Sequence, residues 1–217
     1  MKMKHKKVTN NYFIKLRDVI TTNIKHNSDI DVISTMKSAS MDDSDKSNIK
    51  YLYDGSTIDM DIIKLDDLTK YRKCFLQLQG NCDPLSGVDA ICIDNRNEWF
   101  FIEFKNCNIN DSKVKKSIRK KMLESIWYVF FMYSIAGEDI KSLFDGDITK
   151  FARENINYII VGSYSKNLLY SANIQAKEKI GKHYTPPGFD QYRGYYFKDV
   201  YMVTEIELRN FIMKFDV

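Results

Sequence analysis

Two apolar runs, Val88 to Asp94 and Trp99 to Lys105, are separated only by Asn95, Arg96, Asn97 and Glu98. Short runs rich in β-branched and aromatic residues, bounded by turn formers, fit strands better than helices. If Asn95, Arg96 and Asn97 form a three-residue loop with Asn97 in the left-handed position, Asp94 pairs with Glu98. Asp89 then falls directly opposite Glu103. A slip of two residues sets Asp89 opposite Lys105 and keeps all three on one face, whereas an odd slip separates them. Glu103 and Lys105 share a face in any register, because alternate strand residues do, and Phe104 points the other way.

Around this hairpin the sequence predicts an α/β fold with a mixed β-sheet flanked by helices. Tyr12, Phe13, Leu16, Val19, Ile20 and Ile24 recur at helical spacing. The Ser-, Asp- and Met-rich stretch from Lys37 to Asn48 reads as a connection. Residues 1–50 are therefore expected to be an N-terminal helix and flexible connection, and residues 51–217 the main α/β domain. A short helix is expected from about Asp61 to Tyr71 and a further strand from Lys73 to Gln79. Val114, Ile118, Met122, Ile126, Val129, Phe130 and Tyr133 fit period 3.6 and predict a long helix from Asp111 to Ala136. Ile156 to Val161 reads as a central strand, followed by a variable stretch. A last strand from about Tyr195 to Val203 leads into a helix started by Thr204 and Glu207 as a capping box. Trp99 and Trp127 are expected in the core.

Composition limits the function classes. The 217 residues carry a formal net charge of +4, which permits nucleic acid as a partner without demanding it. Cys74, Cys82, Cys92 and Cys107 form no C-x-x-C pair, and His5, His26 and His183 are scattered, so a structural zinc site is not expected. The basic start, Met1 to Lys7, is followed by Val8, Thr9, Asn10 and Asn11 instead of an apolar segment, and the longest apolar run, Ile126 to Ala136, is too short to cross a bilayer. The expectation is a cytoplasmic protein with reduced thiols and no membrane partner. No nucleophile elbow, Walker loop or dinucleotide fingerprint is present.

The chemistry therefore rests on Asp89, Glu103 and Lys105. Opposed carboxylates repel one another and lose hydration, so something must compensate. A divalent cation does so, since magnesium takes one or two carboxylates together with waters and phosphate oxygens. The Phe104 carbonyl is a further candidate ligand. Lys105 is placed to orient a water and to offset charge developing on phosphorus. The alternative is a salt-bridged strand end, in which Lys105 simply neutralises Glu103.

Gly87-Val88-Asp89, then Glu103-Phe104-Lys105 at the end of the next strand, then a long basic helix, resemble the PD-(D/E)xK nuclease superfamily. The resemblance spans about Lys73 to Val161. It implies a restriction-endonuclease-like αβββαβ core and a metal-dependent phosphodiesterase acting on DNA or, as the lesser expectation, RNA. It also implies magnesium or manganese held by Asp89 and Glu103, with Lys105 catalytic. Asp66 or Asp67 is a candidate for the further acid that the superfamily often adds. Lys113, Lys120 and Lys121 on the long helix are the candidate nucleic-acid contacts, with a solvated helix face as the alternative. The basic tail of Lys2, Lys4, His5, Lys6 and Lys7 reads as solubilising. Tyr184, Tyr192, Arg193, Tyr195 and Tyr196 read as aromatic packing at a strand start, with base stacking as the alternative. A non-catalytic nucleic-acid-binding or protein-interaction module on the same fold is the competing function.

Overall fold

The hairpin forms in the register that its turn dictates. Asn97 takes a φ of 61°, and the Asp94 N–H donates to the Glu98 carbonyl at 3.0 Å. Ala90 pairs with Ile102 and Ile93 with Trp99, so continuing the ladder by one residue sets Asp89 opposite Glu103. Asn97 also closes the turn inward: its side chain donates to the Leu143 carbonyl at 2.6 Å and accepts from the Trp99 indole at 2.9 Å.

The structure is a computed structural model that describes residues 4–23, 32–42, 47–66, 85–135 and 137–216. Its elements begin with β1 (Lys4–Lys6), α1 (Asn11–Asn23), β2 (Ile33–Thr35), α2 (Met36–Ala39), β3 (Met41–Asp42), β4 (Lys50–Tyr51) and β5 (Ile58–Ile63). The hairpin is β6 (Ala90–Ile93) and β7 (Trp99–Lys105). Then come α3 (Ser112–Ile135), α4 (Gly137–Lys141), α5 (Ile148–Asn155), β8 (Ile156–Gly162), α6 (Leu168–Glu178), β9 (Asp199–Thr204) and α7 (Glu205–Lys214). β5, β6 and β7 form an antiparallel meander, and β8 and β9 extend it in parallel from β7. The result is a mixed sheet flanked by helices. All seven residues of β8 are buried, as expected of a central strand covered on both faces.

The long helix spans Ser112–Ile135, and the capping box of α7 is complete on Thr204 and Glu207. Other expectations need correction. Asp61 to Ile63 close strand β5 instead of starting a helix; Ile58, Met60 and Ile62 alternate at period two, a signal outweighed by the apolar residues after them. Leu65 and Asp66 take a helical turn, and the rest of that expected helix lies outside the described residues, as does the strand expected at Lys73 to Gln79. The tail residues Lys4–Lys6 are strand β1, parallel to β5, and the Lys6 ammonium donates to the Met213 and Phe215 carbonyls at the end of α7 at 3.0 and 2.8 Å. With β2 also paired to β5, hydrogen bonding joins parts of residues 1–50 to the same sheet. The expected connection at Lys37 to Asn48 contains part of α2 and β3, and the variable stretch contains α6. The last strand starts at Asp199, leaving Tyr195 and Tyr196 exposed in the turn before it.

α3 is fixed over the start of β6. Ile118, Met122, Ile126, Val129 and Met132 are buried against the sheet, and Ser125 and Glu124 accept the Val88 and Ser86 N–H groups at 2.9 and 2.6 Å. On the other side Gly87 lets the backbone of residues 65 and 66 pack close, since a Cβ there would lie 2.7 Å from the Leu65 carbonyl carbon and 2.8 Å from the Asp66 nitrogen. Trp99 is fully buried, but Trp127 is exposed and stacks on Phe131, at centroids 5.4 Å apart. The apolar run that contains it is wider than the face the sheet can cover.

Candidate functional site

Asp89 stands just before β6 and Glu103 two residues from the end of β7, so the ladder that pairs Ala90 with Ile102 brings their carboxylates together. Glu103 is fully buried. Lys105, one pleat along on the same face, forms an ion pair with Glu103. Lys121 reaches down from α3 to both acids, 2.8 Å from Asp89 Oδ1 and 3.1 Å from Glu103 Oε2. The second oxygen of Asp89 accepts the Phe104 N–H at 2.7 Å. That contact uses the Phe104 N–H and leaves its carbonyl, the candidate metal ligand, outside the bond.

Two acids and two lysines thus form a partly buried cluster whose formal charges cancel. Within it Glu103 is strained electrostatically. Burial, and next the charge of Asp89, raise its pKa from 4.5 to about 7, while Lys105 and Lys121 pull it back. Both Glu103 oxygens are buried, and the groups that meet them are the Lys105 and Lys121 ammoniums. Lys121 responds in the opposite sense: burial pulls its pKa down, but Glu103 and Asp89 outweigh burial and hold it above the ordinary lysine range. Asp66 adds to that effect, and its N–H donates to the Val88 carbonyl at 3.2 Å, so it borders the cluster. Asp67 lies outside the described residues. Tyr158, on β8, is buried with its hydroxyl unpartnered among those residues, and burial followed by Glu103 and Asp89 drives its pKa up.

Of the residues named from sequence, Asp89, Glu103 and Lys105 come together. Lys113 and Lys120 are exposed on α3, and Lys120 leans toward Glu124 at 3.8 Å. Lys121, grouped with them on the non-core side, turns inward and belongs to the carboxylates. The missed signal was its position: Lys121 lies three residues after Ile118 and beside Met122, at the margin of the buried stripe, where a long side chain curls over the edge.

A cleft of about 350 Å³ opens on Asp89 and Lys105. Ser40, Met41 and Asp42 line one side, and Phe104, Asn106 and Cys107 the other. The Asn106 amide donates to Asp42 Oδ2 at 3.0 Å and ties the two sides together. Among the described residues no group of three His, Cys, Asp or Glu side chains is arranged to hold a metal. The chemistry of the pair still suits a hard divalent cation, because two carboxylates are enough when waters and phosphate complete the shell. Cys107 is a free thiol that burial pushes up from its ordinary pKa, so it is not poised as a nucleophile. Among the described residues no helix is long and apolar enough to cross a membrane.

Comparison with protein-family models, curated proteins and solved structures finds no match to this chain.

Proposed function

We propose that this chain is a metal-dependent nuclease of the PD-(D/E)xK type, with its centre at Asp89, Glu103, Lys105 and Lys121. The observation that carries the reading is the desolvated Glu103 carboxylate. It faces a second acid across a strand pair, its pKa is raised to about 7 by burial and by that acid, and the charges that meet it are the ammonium groups of Lys105 and Lys121. A helix, an antiparallel meander, a long helix and a parallel strand in chain order agree with the restriction-endonuclease-like core that this reading requires.

Asp89 and Glu103 are the residues that would hold magnesium or manganese, which when bound supplies Lewis-acid polarisation of a phosphoryl oxygen. The chain's own groups do the rest. Lys105 and Lys121 balance the carboxylates before substrate arrives, so that two acids can coexist in a buried place. Once a phosphodiester enters through the cleft, a lysine ammonium offsets the charge that builds on the phosphoryl oxygens. Lys113 and Lys120 are left on the exposed face of α3 to meet the phosphate backbone, with DNA the preferred substrate.

The charge balance of the cluster favours a second reading, a non-catalytic module in which the four groups are a structural ion-pair network. The test is a cleavage assay with magnesium on single- and double-stranded DNA and RNA, beside melting curves with and without the ion. The proteins are wild type, Asp89→Asn, Glu103→Gln and Lys105→Ala. The nuclease reading expects magnesium to raise the wild-type melting temperature, and both acid variants to lose that shift and lose cleavage by orders of magnitude. Lys105→Ala should keep the shift and lose cleavage. Full cleavage by Glu103→Gln defeats the mechanism; a wild type that cuts nothing and shows no magnesium shift favours the module.

A further inference from the structure

The structure points to the form of the substrate: we propose that the site takes unpaired nucleic acid, a single strand or a frayed end, with Tyr51 and Met41 as a stacking rim. This rests on the nuclease reading for where the phosphate goes, and goes beyond it in what the cleft admits.

Access comes first. Asp89 and Lys105 are each largely buried and open onto the cleft, while Glu103 lies behind them with no exposure. The cleft's volume of about 350 Å³ is near the lower end for a pocket that takes one small ligand, roughly 300–1,000 Å³. That is the scale of one nucleotide. A duplex is stiff, with a persistence length of about 50 nm, and cannot tuck one nucleotide into such a space without unpairing it, which costs a few kcal/mol. A strand that is already unpaired avoids that cost.

The outer wall is braced. The Ser40 hydroxyl donates to the Tyr53 carbonyl at 2.9 Å and accepts the Tyr53 N–H at 3.0 Å, and the Leu52 N–H donates to the Ser40 carbonyl at 3.1 Å. Together with the bond from Asn106 to Asp42, these contacts hold the wall against the end of β7. Widening the cleft for a duplex would break them.

The rim supplies the recognition chemistry. Met41 lines the cleft and pairs directly with Tyr51 across β3 and β4, so their side chains share a face. Both are exposed at the edge of a polar cleft. The Lys37 ammonium sits 5.1 Å from the centre of the Tyr51 ring, and Lys50 precedes Tyr51 on the same strand. Lys37 covers one face of the Tyr51 ring; an unpaired base would stack on the other face, or take the place of Lys37, with that ammonium left to meet the backbone. In a duplex the base faces are already occupied by their neighbours.

The test is fluorescence anisotropy without magnesium, so that nothing is cut. The probes are labelled oligothymidylate and oligouridylate of about 12 nucleotides, within the range of single-strand sites, and a blunt DNA hairpin duplex. The proteins are wild type, Tyr51→Phe, Tyr51→Leu and Tyr51→Ala, each checked for its melting temperature. We expect the single strands to bind more tightly than the duplex, with the ratio of the two separating DNA from RNA preference. Tyr51→Ala and Tyr51→Leu should lose roughly 5- to 150-fold in single-strand affinity, the worth of one stacked base, and Tyr51→Phe should keep it. Leu preserves an apolar strand residue, so loss in that variant reports the ring instead of the fold. Equal or tighter binding of the duplex, unchanged binding in Tyr51→Leu, or no binding of any probe overturns the proposal. Tight single-strand binding by a wild type that cuts nothing in magnesium would sink the nuclease reading and leave this one standing.

Discussion

The two ends of one hairpin treat a buried acid in opposite ways. At the turn, the Asp94 side chain is almost fully buried, yet it accepts the Arg96 and Glu98 N–H groups, each at 2.9 Å, and the Arg96 guanidinium at 3.0 and 3.1 Å. At the open end Glu103 is equally buried but holds only ammonium ion pairs, and its pKa is raised to about 7. The same two strands supply both environments. Burial is common to the two acids; what differs is that backbone N–H groups and a guanidinium fix Asp94, whereas Glu103 is met by two ammonium groups and faces a second carboxylate. One end of the hairpin binds its acid with neutral and cationic donors of the turn itself, and the other sets two acids together and offsets them with two lysines.

The widest separation between the ends should appear on substitution. Glu103→Gln is expected to remove cleavage by orders of magnitude while the protein stays folded. Asp94→Asn is expected to leave cleavage in place and to cost roughly 1–3 kcal/mol of stability, through lost charge-assisted bonds in the turn. Paired chemical denaturation and cleavage assays decide it, and a large activity loss in Asp94→Asn at temperatures where it is folded would break the contrast.

The pH response should follow the open end. The folded chain keeps a proton on Glu103 that the unfolded chain releases, because the folded pKa is about 7 against the ordinary 4.5. Stability from this group is thus full below about pH 4.5 and is lost as pH rises through about 7. In metal-free buffer the melting temperature of wild type should fall across that window more steeply than that of Glu103→Gln. Cleavage, which needs the ionised carboxylate, should rise over the same window. Parallel slopes for the two proteins would mean that Glu103 is already ionised when folded.

The smallest effects separate two neighbouring lysines. Lys121→Ala, facing both acids, should lower cleavage and move its pH dependence upward, since a charge that holds Glu103 ionised is gone. Lys120→Ala should leave the pH profile alone and reduce the salt dependence of nucleic-acid binding by about one unit of slope. Identical pH profiles for the two variants would return Lys121 to the role of a surface phosphate contact.

The sequence by itself determined the hairpin and the charged side chains that it brings to one face. Asn97 sets the turn, the turn sets the register, and a period of two then carries Asp89 opposite Glu103 and leaves Lys105 beside it; each step is local. The long helix and the Thr204 and Glu207 cap were legible for the same reason. The rest waited on tertiary structure. Strand β1 exists because β5 offers it an edge, and no pattern in Lys4 to Lys6 announces that partner. Strand β5 was obscured because Asp59 and Asp61 look like surface residues until the Lys37, Met60 and Val8 N–H groups and the His5 ring are seen to meet them. Lys121 could not be assigned from α3 alone, since a residue at the margin of a buried stripe faces solvent or core according to how the helix is rolled on the sheet. That roll is fixed by Glu124 and Ser125 accepting the Ser86 and Val88 N–H groups. Periodicity reports which residues share a face, but only packing decides what that face meets.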